Sequence, residues 1–492
     1  MRLFYTNQIA GSTIRSMNPT EHILQNFQMV SSIPRGTKNE AGIRQWLIDW
    51  ATANRFGSRV DAAGNLVVHV PASPGRASEA TVVLQGHMDM VCQKTPESTH
   101  DFTRDPIKVI RDGDWIRADG TTLGADNGIA IALMMALAED EQASHPALEL
   151  LLTVEEEMGV VGADNLDPSM ISGKTLINLD SEDEGVFTVG CAGGGSLFIT
   201  LPVTWTAQAA DEVAFEIKVG GLKGGHSGGD INKHRANANT MIARVLEFIQ
   251  RSAPMRLATL KGGSARNAIP RDAEAIFVCA KDKAALCRDL FAEIVKTIQA
   301  EHAHTEQDAF VTLNEVNGQP LHAIGKSETL TAIRLLLSLP NGVAEMSAEM
   351  PGFIETSNNI GIVELKQEGV YIVSNHRSSV LSRLEEITYR VESLAWMAGA
   401  KAERNKINPP WQPNMDSPLL KKCTQAHETL TGKPPKVELT HGGLECGIIS
   451  DRCGGLDSIS FGPTIINPHS PDERLHVPSL AWTWELLKAV LR

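Results

Sequence analysis

The amino-acid sequence predicts an α/β protein with helices covering its central sheet and with an inserted α+β domain. In the first part of the chain, short buried-strand patterns such as TVVLQG alternate with helical patterns such as IAIALMMALAED. After the glycines at 193–195, half-buried strand patterns alternate with amphipathic helices, which is typical of an α+β domain. From about Trp411 the α/β pattern resumes. The chain is therefore expected to leave one domain, build a second and return to the first.

These changes of pattern predict the domain boundaries. Residues 1–16 are expected to form an N-terminal extension, residues 17–194 and 409–492 the two parts of one domain, and residues 195–408 the insertion. A chain of 492 residues, of which 42% are hydrophobic, is long enough to bury more than one core.

The composition restricts the partners of the protein. A formal net charge of -14 argues against nucleic acids and anionic membranes, because both attract basic surfaces. No apolar run approaches the roughly 18 residues of a membrane span, and the N-terminus has no apolar signal core. The seven cysteines are scattered without a CxxC pair, as expected of reduced thiols. We therefore expect a cytoplasmic protein that acts on a small molecule.

The first candidate for chemistry is a histidine and an aspartate at the end of a predicted strand. The TVVLQG strand leads directly into His87 and Asp89, and residues two apart on an extended segment point to the same side. A metal-binding histidine that is oriented by a carboxylate has this arrangement. The alternative is an ordinary surface pair.

Three acidic segments follow at comparable places. Asp126 lies in a glycine-flanked turn before a helix, where the alternative is a plain helix N-cap. The acids at 155–157 close the strand ALELLLTV, and neighbouring glutamates there can bind metal and move a proton. A solvated run of charge is the alternative for them. Asp180 ends the strand TLINLD.

The shared position of these segments predicts one pocket. Ligands of open α/β sheets bind at the carboxyl ends of the strands, where all four segments are expected. His469, in a proline-flanked loop, adds a second imidazole, and His476 near the closing helix is its competitor. Imidazole and carboxylate donors suit zinc, manganese or cobalt. A pair of such ions sharing an aspartate lowers the pKa of water and polarises a carbonyl, which is the chemistry of amide hydrolysis.

At these positions the sequence resembles the dinuclear zinc peptidases, a family that includes aminoacylases, glutamate carboxypeptidases and carnosinases. Within that family it is most similar to the dipeptidases that cleave Xaa-His dipeptides. The resemblance covers the chain from Met17 onward and is carried by the segments GHMDMVCQK, DGTTLGADNGI, TVEEEMGVVGA, NLDSED, GGHSGGDI, ARNAIPR, HGGLECG and GPTIINPHSPDERL. It implies a catalytic domain with a mixed central sheet and an inserted lid domain.

The resemblance also implies a role for each candidate residue. The implied metal ligands are His87, Asp126, Glu157, Asp180 and His469. His87 and Asp180 would hold one ion, Glu157 and His469 the other, and Asp126 would bridge them. Asp89 would orient the His87 ring, and Glu156 would be the general base. Aligning on Gly159 selects Glu156 and Glu157 from the triple glutamate, which differs from the usual pattern only in its leading acid, Glu155; the residues alone leave a shift by one position open.

The implied reaction is hydrolysis of a dipeptide, including Xaa-His and β-alanyl-histidine types. Glu156 would take a proton from a water held between the metals and return it to the leaving amine after attack on the scissile carbonyl. The implied substrate contacts are His226, Asn267, Arg377, His441 and Glu445, since an arginine suits the terminal carboxylate and a glutamate the ammonium. His226 would also stabilise the tetrahedral oxygen. From the residues alone, His226 is a loop histidine among glycines.

The expected cofactors are two divalent metal ions, zinc first, with manganese or cobalt as alternatives. The resemblance implies a homodimer formed through the inserted domain. An aminoacylase or a tripeptidase of the same family is the alternative enzyme. A peptide-binding protein without catalysis is the alternative from another class, and Glu156 with the full ligand set argues against it.

Overall fold

The computed structural model describes residues 18–316, 318 and 321–492, so the predicted extension at residues 1–16 lies outside the described residues. The chain forms two compact units. The first contains the described residues up to Gly190 together with Pro413–Leu439 and Leu444–Arg492, and the second contains Cys191–Gln412 and Thr440–Gly443. The glycines at 193–195 therefore lie inside the second unit, where they open a strand.

Three of the helices in the described residues begin at a capping side chain. Asn18, Asn237 and Ser417 each accept a hydrogen bond from a backbone N–H in the first turn of the helix that follows. The helices, numbered along the chain, are α1 (Pro19–Ser31), α2 (Ala41–Ala53), α3 (Ala125–Glu139), α4 (Val161–Asp164), α5 (Ala238–Gln250), α6 (Ala284–His302), α7 (Lys326–Ser338), α8 (Leu381–Met397), α9 (Pro418–Thr431), α10 (Glu445–Arg452) and α11 (Val477–Leu491). Short 3₁₀ turns occupy Pro168–Met170 and Lys281–Lys283. None of the helices in the described part of the chain has the length and apolarity needed to cross a membrane.

The strands are numbered in the same way. They are β1 (Gly57–Val60), β2 (Leu66–Val70), β3 (Val82–His87), β4 (Val109–Asp112), β5 (Trp115–Ala118), β6 (Leu148–Thr153), β7 (Thr175–Asn178), β8 (Val186–Cys191), β9 (Gly193–Pro202), β10 (Trp205–Ala207), β11 (Glu212–Gly220), β12 (Gly225–His226), β13 (Met255–Gly262), β14 (Ala268–Ile269), β15 (Ala273–Ala280), β16 (Phe310–Val316), β17 (His322–Ile324), β18 (Gly342–Met346), β19 (Ile354–Leu365), β20 (Gly369–Ser378), β21 (Lys401–Arg404), β22 (Lys436–Thr440), β23 (Asp457–Ser460), β24 (Ile465–Ile466) and β25 (Arg474–His476).

The first unit is built on a mixed sheet with the strand order β1-β2-β6-β3-β7-β23-β8-β22. Strand β3 is parallel to β6 and β7, and β23 is parallel to β7. The pairs β1-β2, β2-β6 and β23-β8 are antiparallel. Helices α2, α3, α9 and α10 pack on strands of this sheet, and α1 lies against α3 and α11. A smaller sheet has the order β24-β25-β5-β4. The predicted α/β fold class with a mixed, helix-covered sheet is confirmed.

One close contact fixes α3 against β3. A Cβ atom on Gly86 would lie 2.3 Å from Asn127 Oδ1 and 2.8 Å from Ala130 Cβ, so only glycine lets the helix approach this strand. Asn127 Oδ1 accepts a hydrogen bond from the backbone N–H of His87 at 3.2 Å, and its amide donates to the carbonyl of Leu179 at 3.0 Å. The start of α3 is thereby held at the ends of β3 and β7.

The second unit has an antiparallel sheet with the order β16-β11-β15-β13-β19-β20-β9-β21, and β18 pairs with β19. Its helices α5 to α8 pack on these strands and enclose a continuous apolar core. Two short ladders, β10-β17 and β12-β14, complete it in the described residues. This is the predicted α+β pattern. The segment HGGLECG becomes helical at Glu445, where α10 begins.

Candidate metal centre

The candidate residues lie at one edge of the mixed sheet. His87 is the last residue of β3, the acids at 155–157 follow the end of β6, and Asp180 follows the end of β7. Because these three strands are parallel, their carboxyl ends meet at the same edge. The backbone at Asp126 is not yet helical, with φ -79° and ψ 106°, so its side chain precedes the regular part of α3.

Asp126 lies between the two imidazoles. Its Oδ1 is 3.0 Å from His87 Nε2, and its Oδ2 is 2.9 Å from His469 Nε2. Each carboxylate oxygen therefore faces a different histidine. This is the geometry of a carboxylate that can bridge two ions.

A second carboxylate accompanies each imidazole. Asp180 Oδ1 lies 3.6 Å from His87 Nε2, and Glu157 Oε2 lies 3.1 Å from His469 Nε2. Donor atoms of His87, Asp126 and Glu157 all lie within 4.8 Å of one another. The structure thus brings all five predicted ligands together as two half-sites that share Asp126.

Asp89 connects the first half-site to the segment with the triple glutamate. Its Oδ1 lies 3.3 Å from His87 Nδ1. Its carboxylate also accepts the backbone N–H groups of Glu156 and Glu157, at 3.0 and 3.3 Å, and the Thr37 hydroxyl at 2.9 Å. Burial opposes ionisation, but His87 and these donors outweigh it and lower the pKa of Asp89. One carboxylate therefore orients the His87 ring and positions the backbone of Glu156 and Glu157.

The carboxylates of the cluster lie close enough together to shift the pKa values of its members. Hydrogen bonds that the His469 imidazole donates to the carboxylates of Asp126 and Glu157 raise the pKa of His469 to about 11. Burial would lower the pKa of His87, but Asp180 and Asp126 raise it well above its usual value. Burial, reinforced by neighbouring carboxylates, raises the pKa values of Glu156 and Asp180. This pattern is that of a site with excess negative charge, where a cation stabilises the ionised acids.

The residues present fit divalent metal ions. The donors are imidazole nitrogens and carboxylate oxygens, which suit zinc and similar ions. Because Nδ1 of His87 faces Asp89, its Nε2 is the nitrogen directed at the carboxylates. Oε1 of Glu157 is buried without a hydrogen-bond partner, as expected of a ligand atom.

The predicted substrate contacts divide between the two units. In the second unit, His226 ends β12, and Ser227 donates its N–H to the carbonyl of Asn267 at 2.8 Å, which brings His226 and Asn267 to one ladder. Arg377 Nη2 lies 3.4 Å from His226 Nε2. His441 contacts Ser357 Oγ at 2.7 Å, and burial together with Arg377 lowers the pKa of His441 to about 3.

Glu445 lies in the first unit and is fully buried. Its Oε2 accepts hydrogen bonds from Gln85 at 2.6 Å and from Thr153 at 2.7 Å, and burial raises its pKa to about 7. Gln85 in turn accepts from Asn178 at 2.6 Å. A polar row formed by Thr153, Gln85 and Asn178 therefore crosses β6, β3 and β7 near their carboxyl ends. This row was not predicted, although the single polar residues inside the apolar runs TVVLQG and TLINLD were a signal for it.

His476, the competitor of His469, takes no part in the cluster. It ends β25 immediately before α11, and its ring packs against Trp115 with centroids 4.8 Å apart. His469 by contrast lies in the loop and has φ 60°, an uncommon conformation for a residue other than glycine.

The chain matches known proteins over nearly all of its length. Residues 83–492 match the model of Peptidase family M20/M25/M40. The sequence is similar to the cytosol non-specific dipeptidase of Escherichia coli strain K12, with 38% identity over 466 residues, which are 95% of this chain and 96% of that protein.

Solved structures are also similar to this chain. The structure is similar to the aminoacylhistidine dipeptidase from Vibrio alginolyticus, with a TM-score of 0.86, 36% sequence identity and 98% of each chain covered. An aminopeptidase from Bacillus cereus shares the fold, with a TM-score of 0.55 and 18% identity over 96% of this chain and 98% of that one.

Proposed function

The chain belongs to peptidase family M20/M25/M40, and from this membership we propose that it hydrolyses dipeptides of the Xaa-His type with two zinc ions held around Asp126. Metal-dependent dipeptide hydrolysis itself agrees with the Escherichia coli and Vibrio alginolyticus relatives, both of which are dipeptidases and match almost the whole chain. The observation that carries the proposal is the Asp126 carboxylate, with one oxygen directed at each of two His-carboxylate half-sites.

We assign one ion to His87, Asp180 and Asp126, and the other to His469, Glu157 and Asp126. When bound, the ions lower the pKa of water and polarise the scissile carbonyl. Imidazole and carboxylate donors without thiolate favour zinc, and the same donors accept manganese or cobalt.

Glu156 is the proposed general base. Its backbone N–H donates to Asp89, as does that of the proposed ligand Glu157, and its carboxyl group interacts electrostatically with His87 and Asp126, which supports a position at the cluster. It takes a proton from the attacking water and returns it to the leaving amine, so that one carboxyl group serves both proton transfers. Asp89 maintains the orientation of the His87 ring during these steps.

The proposed substrate contacts are His226, Asn267, Arg377 and His441 in the second unit and Glu445 in the first. Arg377 has the planar donors that bind a carboxylate, and its position beside His226 and Ser227 gives them a fixed direction. His226 is proposed to stabilise the developing oxyanion and Glu445 to serve the ammonium group. A homodimer formed through the second unit and a cytoplasmic location complete the proposal.

The Arg377 assignment predicts a selective loss of affinity. Arg377→Met is expected to lower kcat/KM for Ala-His by about 10–100-fold, because charge-assisted hydrogen bonds contribute about 1.5–3 kcal/mol. The same variant should lose the preference of the wild type for Ala-His over Ala-His amide, which lacks the terminal carboxylate. Arg390→Met, at an exposed arginine of α8, is the control and should keep that preference. An Arg377→Met enzyme that still discriminates as the wild type does would remove Arg377 from carboxylate binding.

A substrate and metal panel tests the function as a whole. We expect turnover of Ala-His and β-Ala-His. This turnover should stop when the metal is removed by a chelator, and it should return when zinc, manganese or cobalt is added separately. N-acetyl amino acids and tripeptides should be poor substrates. Preferential cleavage of N-acetyl amino acids would favour an aminoacylase, and preferential cleavage of tripeptides a tripeptidase. Binding of peptides with no turnover under any metal would favour the non-catalytic alternative.

A further inference from the structure

We propose that Glu473 and Arg35 are positioning residues that hold the loop of Asp126 in its ligand-binding place before any metal ion arrives. The inference rests on the proposed metal-dependent function. Neither residue was a candidate from the sequence, and in the described structure neither forms a hydrogen bond or ion pair with His87 or His469.

The Glu473 carboxylate accepts hydrogen bonds from four consecutive backbone N–H groups. Its Oε2 lies 2.8 Å from Leu123 N and 3.0 Å from Gly124 N, and its Oε1 lies 2.7 Å from Ala125 N and 3.3 Å from Asp126 N. The side chain is only 2% exposed. These amides open α3, where the partial positive charge of a helix N-terminus favours an anion. The Glu473 carboxylate thus fixes the backbone from which the bridging ligand projects.

Arg35 secures the same loop from its other side. The fully enclosed guanidinium donates through Nη1 to the carbonyls of Met88 and Asp89, at 3.1 and 2.8 Å, and through Nη2 to the carbonyl of Gly124. A Cβ atom on Gly124 would lie 2.6 Å from Nη2, and Gly124 has φ 68°, so glycine is required there for two reasons. Arg35 therefore ties the segment after β3, which orients His87, to the loop of Asp126.

Glu473 also connects the loop of Asp126 to the second half-site, which contains His469. It follows His469 in the same loop, and its N–H donates to the carbonyl of Ser470 at 3.0 Å. One short segment therefore supplies a ligand and, four positions later, the carboxylate that holds the bridging ligand. Ordering these loops in advance lowers the free-energy cost of binding metal, because less conformational freedom is lost on binding.

The test is a calorimetric titration of metal-free, full-length protein with Zn²⁺, which measures the affinity for the ion. In Glu473→Gln an amide NH₂ replaces one acceptor and faces backbone N–H donors that it cannot satisfy. Affinity for Zn²⁺ is expected to fall by about 10–100-fold, the usual cost of losing a partner behind the ligands.

Glu149→Gln is the matched control. Glu149 is 4% exposed and accepts the backbone N–H groups of Ser172 and Gly173 at 2.9 and 3.0 Å, but it lies at the opposite end of β6 from the ligands. The Glu149→Gln variant should lower the stability of the fold without weakening Zn²⁺ binding. Equal affinities in the two variants would overturn the positioning role and leave the proposed function intact. A wild type that binds no Zn²⁺ would overturn both.

A second measurement needs no variant and covers the case in which Glu473→Gln does not fold. In metal-free wild-type protein, the amides of Leu123, Gly124 and Ala125 should exchange hydrogen far more slowly than an unstructured peptide, because Glu473 already accepts them. Exchange at the unstructured rate until Zn²⁺ is added would show that the metal, not Glu473, orders the loop, and would end the proposal.

Discussion

Glu156→Gln is expected to lower kcat by about 10²–10⁴-fold, the range that a positioned acid-base group contributes. Glutamine keeps the size of the side chain and the backbone hydrogen bond to Asp89, but it cannot take a proton from water. Because Glu156 is not a proposed ligand, the variant should still bind two metal ions per chain. Steady-state kinetics on Ala-His, together with metal analysis of the same preparation, measures both properties.

Glu155→Gln is the control, and it also settles which glutamates of the triplet act. Glu155 has φ 49°, and its backbone N–H is held by the Glu40 side chain instead of by Asp89. Its replacement should leave kcat within a small factor of the wild type. The reverse result, an inactive Glu155→Gln and an active Glu156→Gln, would show that the proposed register is shifted by one position.

Asp126→Ala should have the largest effect on the metal centre. Removing this carboxylate takes one donor from each half-site, since its two oxygens face His87 and His469 separately. We expect the variant to retain at most one tightly bound ion and to show no measurable turnover. Metal analysis after gel filtration and a calorimetric titration with Zn²⁺ measure the loss.

Asp140→Ala, at the other end of α3, is the matched control. Asp140 accepts the N–H of Gln142 in the turn that follows, far along the helix from the ligands. It should keep two ions and normal turnover. Two tightly bound ions in Asp126→Ala would contradict the bridging role and with it the dinuclear site.

The convergence of the candidate ligands was predictable because most of them follow strand ends. Short apolar runs that each finish in a histidine or an acid indicate a parallel arrangement, and parallel strands bring their carboxyl ends to one edge. His87 and Asp180 could be found in this way without knowledge of the strand order. His469 was harder, because it lies in a loop whose position depends on the whole first unit, and only its proline-flanked segment distinguished it from His476.

Residues behind the candidate ligands were not predictable from pattern. The contact between Gln85 and Asn178 requires β3 and β7 to be neighbours, and periodicity does not give strand order. Arg35 reads as a loop residue after α1, yet it is buried among carbonyls supplied by two distant segments. Glu445 reads as part of a glycine-rich loop, whereas it opens α10 and is enclosed. Such groups are specified by tertiary packing, which overrides local preference.

The position of β23 between β7 and β8 affects biosynthesis. The hydroxyl of Ser460 in β23 donates a hydrogen bond to Asn178 of β7, and the two residues are 282 positions apart in the chain. At a translation rate of about 5–20 residues per second, β7 therefore waits roughly 15–60 s for β23 to be synthesised. During that interval the nascent sheet ends at the unpaired edge of β7, and β8 lacks both of its neighbours, β23 and β22, so both strands invite pairing with other chains. Recombinant yield should therefore improve at lower growth temperature or with extra chaperone, and stalled or C-terminally clipped products should partition into inclusion bodies.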